Sequence, residues 1–93
     1  MYYNELLSLL GERIRALRKE KNIKQEKLAE LVDKTTEHIS FIERGERAPS
    51  LELLLDLARV LNVSLPYLML KRLNSTIRSQ YQHRFPLLPF PSQ

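Results

Sequence analysis

The chain contains no cysteine, which rules out a disulfide scaffold and any zinc site built on thiolates. It has no apolar run of the roughly 18 residues that a membrane-spanning helix needs, and its opening residues do not read as a secretory signal. Its only histidines, His38 and His83, lie far apart in the sequence. There is no phosphate-binding glycine loop and no paired-carboxylate motif, so the residues give no ground for an enzyme, a metal site or a cofactor. These absences point to a soluble, cytoplasmic protein that works by binding.

What is present suffices for one small core. Ninety-three residues correspond to a single domain, and with 43 % of them hydrophobic the composition is not that of a disordered chain. A domain this short buries only about 60 % of its unfolded surface, so help from self-association is expected. The net charge of +4 is a weak sign of a polyanionic partner. Its distribution says more. Between Gly11 and Lys24 stand Arg13, Arg15, Arg18, Lys19, Lys21 and Lys24 against Glu12 and Glu20, and from Lys71 to Arg84 there are bases and no acid.

Leucine, isoleucine and alanine recur at helical spacing from residue 6 to residue 70, and no segment alternates as a strand does. The pattern predicts an all-α domain of five helices. Asn4 is placed to cap a first helix with Leu6, Leu7, Leu10, Ile14 and Leu17 on one face, and Asn22 to end it. A second helix spans Gln25 to Val32 with Leu28, Ala29 and Val32 inward. Asp33 and Lys34 turn the chain, Thr35 caps a third helix over 36–44, and Gly45 stops it. Ser50 opens a fourth helix over 51–61, ended by Asn62. Ser64 caps a short fifth one, whose first turn accommodates Pro66. From Asn74 onward three prolines forbid a helix. The expected division is a domain over 1–70 and a basic, then proline- and aromatic-rich tail over 71–93.

The third helix is the unusual one. At roughly 100° per residue, Ile39 and Ile42 define its inner side, and Glu37, Ser40, Phe41 and Arg44 fall on the outer side. An outward Phe on a small domain fits a helix whose outer face meets a partner. A helix, a short turn and then such a helix make the helix-turn-helix plan, in which the later helix enters a major groove.

Residues Leu10 to Leu70 resemble the Xre-type, lambda-repressor-like family of helix-turn-helix DNA-binding domains. The stretches GERIRALRKEKNIKQEKLAELV and HISFIERGERAPSLELLLDLARVLNVSLPYL carry the resemblance. It implies a five-helix lambda-repressor-like bundle and a sequence-specific transcriptional regulator of bacterial or phage type, a repressor by preference, with double-stranded DNA as partner. By position, Thr36, Glu37 and Phe41 would read base edges. Gln25, Lys34, Thr35, Ser40, Arg44, Arg47 and Ser50 would hold phosphates, and Arg18 with Glu43 would form an ion pair tying the first helix to the third. Phe41 suits a thymine methyl, and Glu37 either accepts from a cytosine amine or pairs with Arg44. The chain departs from the family at Asp33 and Lys34 in the turn, and at Lys24 where a capping Ser or Thr is usual.

The fourth helix carries two apolar stripes. Leu51, Leu54, Leu55, Ala58 and Leu61 are expected in the core, which leaves Leu53, Leu57 and Val60 to meet either the fifth helix and the tail or a second subunit. A homodimer matches a palindromic operator, because two-fold proteins bind two-fold sites. No sensory domain is evident, so control is expected through concentration, dimerisation or a protein regulator. The rival reading is an antitoxin-like or other protein-binding module on the same fold. The bases around the third helix distinguish the two, since a protein binder has no need of Lys34, Arg44 and Arg47 there.

Overall fold

The computed structural model describes residues 3–69, so the expected tail over 71–93 lies outside the described part. Five helices follow one another: α1 (Tyr3–Glu20), α2 (Gln25–Leu31), α3 (Thr36–Glu43), α4 (Leu51–Val60) and α5 (Leu65–Met69). No strand occurs among the described residues. The class is all-α, as the helical periodicity predicts.

The first four helices end in one way. Asn22, Asp33, Gly45 and Asn62 all take positive φ, at 57°, 60°, 76° and 60°. Each is followed by a residue whose amide reaches back five residues: Ile23 to the Arg18 carbonyl, Lys34 to Ala29, Glu46 to Phe41 and Val63 to Ala58, at 2.8–3.1 Å. This is the Schellman closure, which satisfies carbonyls that the helix leaves open. Asn and Asp tolerate the left-handed conformation better than most side chains, and Gly adopts it freely. One local rule therefore sets the length of four helices.

Their starts differ. The Thr35 hydroxyl accepts the His38 amide at 3.0 Å, the Ser50 hydroxyl accepts the Leu53 amide at 3.1 Å, and the Ser64 hydroxyl accepts the Tyr67 amide at 3.2 Å. Lys24 precedes α2 without a side-chain cap. Asn4 does not cap α1: Tyr3 is already helical, so Asn4 lies within the first turn. Leu6 is exposed and Leu7 half-buried, and the buried face of α1 is Leu10, Ile14 and Leu17.

That face shares one core with Leu28, Ile39, Ile42, Leu57, Leu61 and Leu68, all fully buried. Gly11 lets α1 approach α3 backbone to backbone. A Cβ at position 11 would lie 2.4 Å from the Ile42 carbonyl oxygen and 2.5 Å from that of Glu43. Two residues on, the buried guanidinium of Arg13 stacks on Tyr67 of α5, 4.0 Å from the ring centre.

Helix α4 corrects the expected stripes. Leu53 and Leu57 are in the core, 2 % and 0 % exposed, beside Leu54, Ala58 and Leu61, whereas Leu51 and Leu55 are exposed at 65 % and 49 %. Val60 is half-buried against the same core. Leu53 and Leu57 are therefore occupied within the subunit and not available to a second one, and Val60 is partly so. The reason is composition: LELLLDLARV offers leucine on both sides of the helix, so periodicity alone does not choose a face.

Candidate nucleic-acid interface

Helix α3 is held by its inner side and presents its outer one. Ile39 and Ile42 are each 1 % exposed, and Glu43 is buried beside them. On the other side Thr36, Glu37 and Arg44 are exposed, with Ser40 and Phe41 half-buried. The sharp turn at Asp33 and the Thr35 cap fix where this helix begins relative to α2, whose Leu28 and Ala29 pack beneath it.

A polar cluster clamps α3 from inside. Arg18 donates from Nε to Glu43 Oε2 at 2.7 Å and from Nη2 to Glu43 Oε1 at 3.1 Å, and its Nη1 donates to the Ile23 carbonyl at 2.8 Å. Gln25 adds a bond from its side-chain nitrogen to Glu43 Oε1 at 2.9 Å. One carboxylate thus ties the end of α1, the start of α2 and the end of α3 together. Charge-assisted, bidentate and buried, such an arrangement fixes orientation more than a single bond would. The Gln25 amide nitrogen is engaged here, so this side chain faces Glu43 as well as the surface.

On the outer face Arg44 is the centre of a second cluster. Its Nε and Nη2 donate to the two oxygens of Glu46 at 3.1 and 3.2 Å, its Nη1 donates to the Ser40 hydroxyl, and its guanidinium lies 5.1 Å from the centre of the Phe41 ring. Arg44 pairs with Glu46 and not with Glu37. Phe41 is thereby covered on one side by a cation. Glu46 has no role that helical spacing predicts. It lies beyond the helix end, and only the left-handed Gly45 brings it back.

The remaining bases flank the helix. Lys34 in the turn before α3 and Arg47 after it are both exposed. Both act on His38, whose pKa lies below its ordinary value, through burial first and then the positive charges of Arg47 and Lys34. His38 lies at the margin of the helix, where periodicity assigns it to neither face. Ser50 caps α4, whose first amides have no acceptor within the helix. Apart from Ser50 at the start of α4 and from Leu53, Leu57 and Val60, the expected residues lie on or beside α3 or in the clamp beneath it. No group of acids, histidines or cysteines suited to a metal ion occurs among the described residues. None of the described helices is long and apolar enough to cross a membrane.

The sequence profile of the helix-turn-helix family HTH_3 matches residues 14–68, more than half of the chain. The chain belongs to this helix-turn-helix family. Control protein C.SmaI of Serratia marcescens is 34 % identical to it over 70 residues, covering 75 % of this chain and 83 % of that protein. Repressor protein C2 of Salmonella phage P22 is 38 % identical over 89 residues, which span 90 % of this chain but 41 % of the repressor. The chain thus corresponds to less than half of that protein's length. The crystal structure of the P22 c2 repressor in complex with a synthetic operator superposes on 64 % of this helix-turn-helix chain and 91 % of the solved one, with a TM-score of 0.62 and 43 % identity. The restriction-modification controller protein C.AhdI of Aeromonas hydrophila gives a TM-score of 0.64 at 37 % identity, over 67 % and 94 % of the two chains.

Proposed function

We propose that this helix-turn-helix chain is a sequence-specific DNA-binding transcriptional regulator of the repressor kind, with α3 reading the major groove of an operator. The observation that carries the proposal is the orientation of α3. Its apolar side and Glu43 are locked inward, and its exposed side offers Thr36, Glu37 and a half-buried Phe41, with Lys34, Arg44 and Arg47 beside them. The P22 c2 repressor, which it resembles at 43 % identity, is held on an operator in its crystal structure.

In this reading Thr36, Glu37 and Phe41 meet base edges, with Phe41 against a thymine methyl. Gln25, Lys34, Thr35, Ser40, Arg44, Arg47 and the amides at Ser50 meet phosphates, which set position and carry no sequence information. The function is binding and not catalysis, and it is exercised in the cytoplasm, where the DNA lies. The operator is palindromic and the regulator a homodimer. The exposed Leu51 and Leu55 of α4, with Tyr67 and Met69 of α5, supply apolar surface for the second subunit. A purely protein-binding module of the antitoxin kind accounts less well for Lys34, His38, Arg44 and Arg47 around one helix.

The test is the salt dependence of duplex binding. The logarithm of affinity should fall linearly with the logarithm of salt concentration. Arg47→Ala leaves one phosphate without its cation and should lower the slope by about 0.9. Absence of duplex binding at low salt would turn the search toward a protein partner.

A further inference from the structure

The Arg44 cluster carries a role that depends on the proposed DNA reading and goes beyond it. We propose that Glu46 is a positioning residue, which holds Arg44 over Phe41 and so sets how selectively α3 discriminates among base pairs.

Glu46 is itself fixed. Gly45 at φ 76° turns the chain back, and the Glu46 amide donates to the Phe41 carbonyl at 2.9 Å. The backbone of residue 46 is therefore tied to the residue whose ring it helps to cover. Its carboxylate then takes the Nε and Nη2 donors of Arg44 as a fork, and Ser40 takes Nη1. Three attachments on a planar group favour one orientation, with the guanidinium 5.1 Å from the Phe41 ring centre. A guanidinium has five N–H donors, so some remain for a phosphate while the fork stays closed.

Two consequences oppose one another. The carboxylate repels phosphates and lowers affinity for any duplex. It also keeps Arg44 from swinging along the backbone to whichever phosphate is nearest, and it keeps the Phe41 ring in one place. Without Glu46, the freed Arg44 contributes to binding without regard to sequence, and the ring loses its cover.

The experiment uses the full chain with two probes, the duplex selected by the wild-type protein from a random pool and a scrambled duplex of equal composition. Glu46→Gln keeps the size and removes the charge. It should bind the scrambled duplex more tightly and lower the ratio of the two affinities by at least about fivefold, the scale of one well-placed base contact. Arg44→Lys retains a charge but cannot be forked, and it should lower the same ratio. An unchanged ratio in both variants, with both affinities raised equally in Glu46→Gln, would show that Glu46 adds only repulsion and would overturn the proposal. If the wild-type protein selects no consensus at all, the DNA reading fails and this role falls with it. A consensus with an unaltered ratio removes Glu46 alone.

Discussion

Arg18 and Glu43, 25 residues apart in the chain, form a buried two-point contact that joins α1 to the end of α3. Their side chains are 9 % and 2 % exposed, so neither charge is hydrated well enough to stand alone. Glu43→Ala leaves the Arg18 guanidinium unpaired and strands the Gln25 amide. It should destabilise the domain by about 3–5 kcal/mol in urea unfolding. The double variant Arg18→Met, Glu43→Leu removes both charges and should cost less than Glu43→Ala. A double variant as unstable as the sum of its singles would contradict this.

Gly11 sets the distance between the same two helices. Gly11→Ala places a methyl 2.4–2.8 Å from backbone atoms of Ile42 and Glu43, which cannot yield as a flexible side chain would. The helices must separate, with an expected loss of about 1–3 kcal/mol. Because α3 is the proposed reading element, duplex affinity should fall by more than the unfolded fraction explains. Thermal unfolding and duplex titration of the same sample test both.

Stability and binding should respond to pH in opposite directions through His38. Folding holds its pKa below the usual 6.5, so the folded state disfavours the protonated ring. Stability is then complete above about pH 6.5 and is lost as the pH falls through that value toward the folded pKa. The urea midpoint should drop between about pH 7.5 and 5.5, and His38→Gln should show a smaller drop. A phosphate brought near Lys34, His38 and Arg47 favours the charged ring, so duplex binding should take up a proton and strengthen as the pH falls. Calorimetry in two buffers of different ionisation enthalpy measures that proton directly, and no difference between wild type and His38→Gln would exclude it.

The two leucine stripes of α4 should separate cleanly by mutation. Leu57 is fully buried, and Leu57→Ala should cost about 2–5 kcal/mol. Leu55 is half exposed, and Leu55→Ser should change monomer stability by no more than about 0.5 kcal/mol. The same change should weaken self-association in sedimentation. Unaltered sedimentation would move the subunit interface elsewhere.

Apart from the start of α1, which Asn4 does not cap, the helix boundaries are legible in the sequence because they depend on single residues. Asn22, Asp33, Gly45 and Asn62 can take the left-handed conformation, and Thr35, Ser50 and Ser64 carry a hydroxyl where a cap is needed. The outward side of α3 is legible too, since Ile39 and Ile42 leave only one place for Phe41. The faces of α4 are not. Leucine on both sides satisfies the same periodicity, and only packing against the rest of the bundle selects Leu53 and Leu57 over Leu51 and Leu55. Glu46 is invisible for a different reason: its contact with Arg44 is made by the turn at Gly45 and follows no helical spacing. The closeness of α1 and α3 at Gly11 is likewise a property of two packed elements.

The most direct measurement is selection of duplexes from a random pool by the full chain, in parallel with Phe41→Ala. A palindromic consensus is expected for the wild type, and for the variant the same half-site spacing with one base position relaxed, at a cost of about 1–3 kcal/mol on the preferred sequence. A pool that yields no consensus, or a variant whose consensus is identical at every position, would contradict the claim that the outer face of α3 reads DNA.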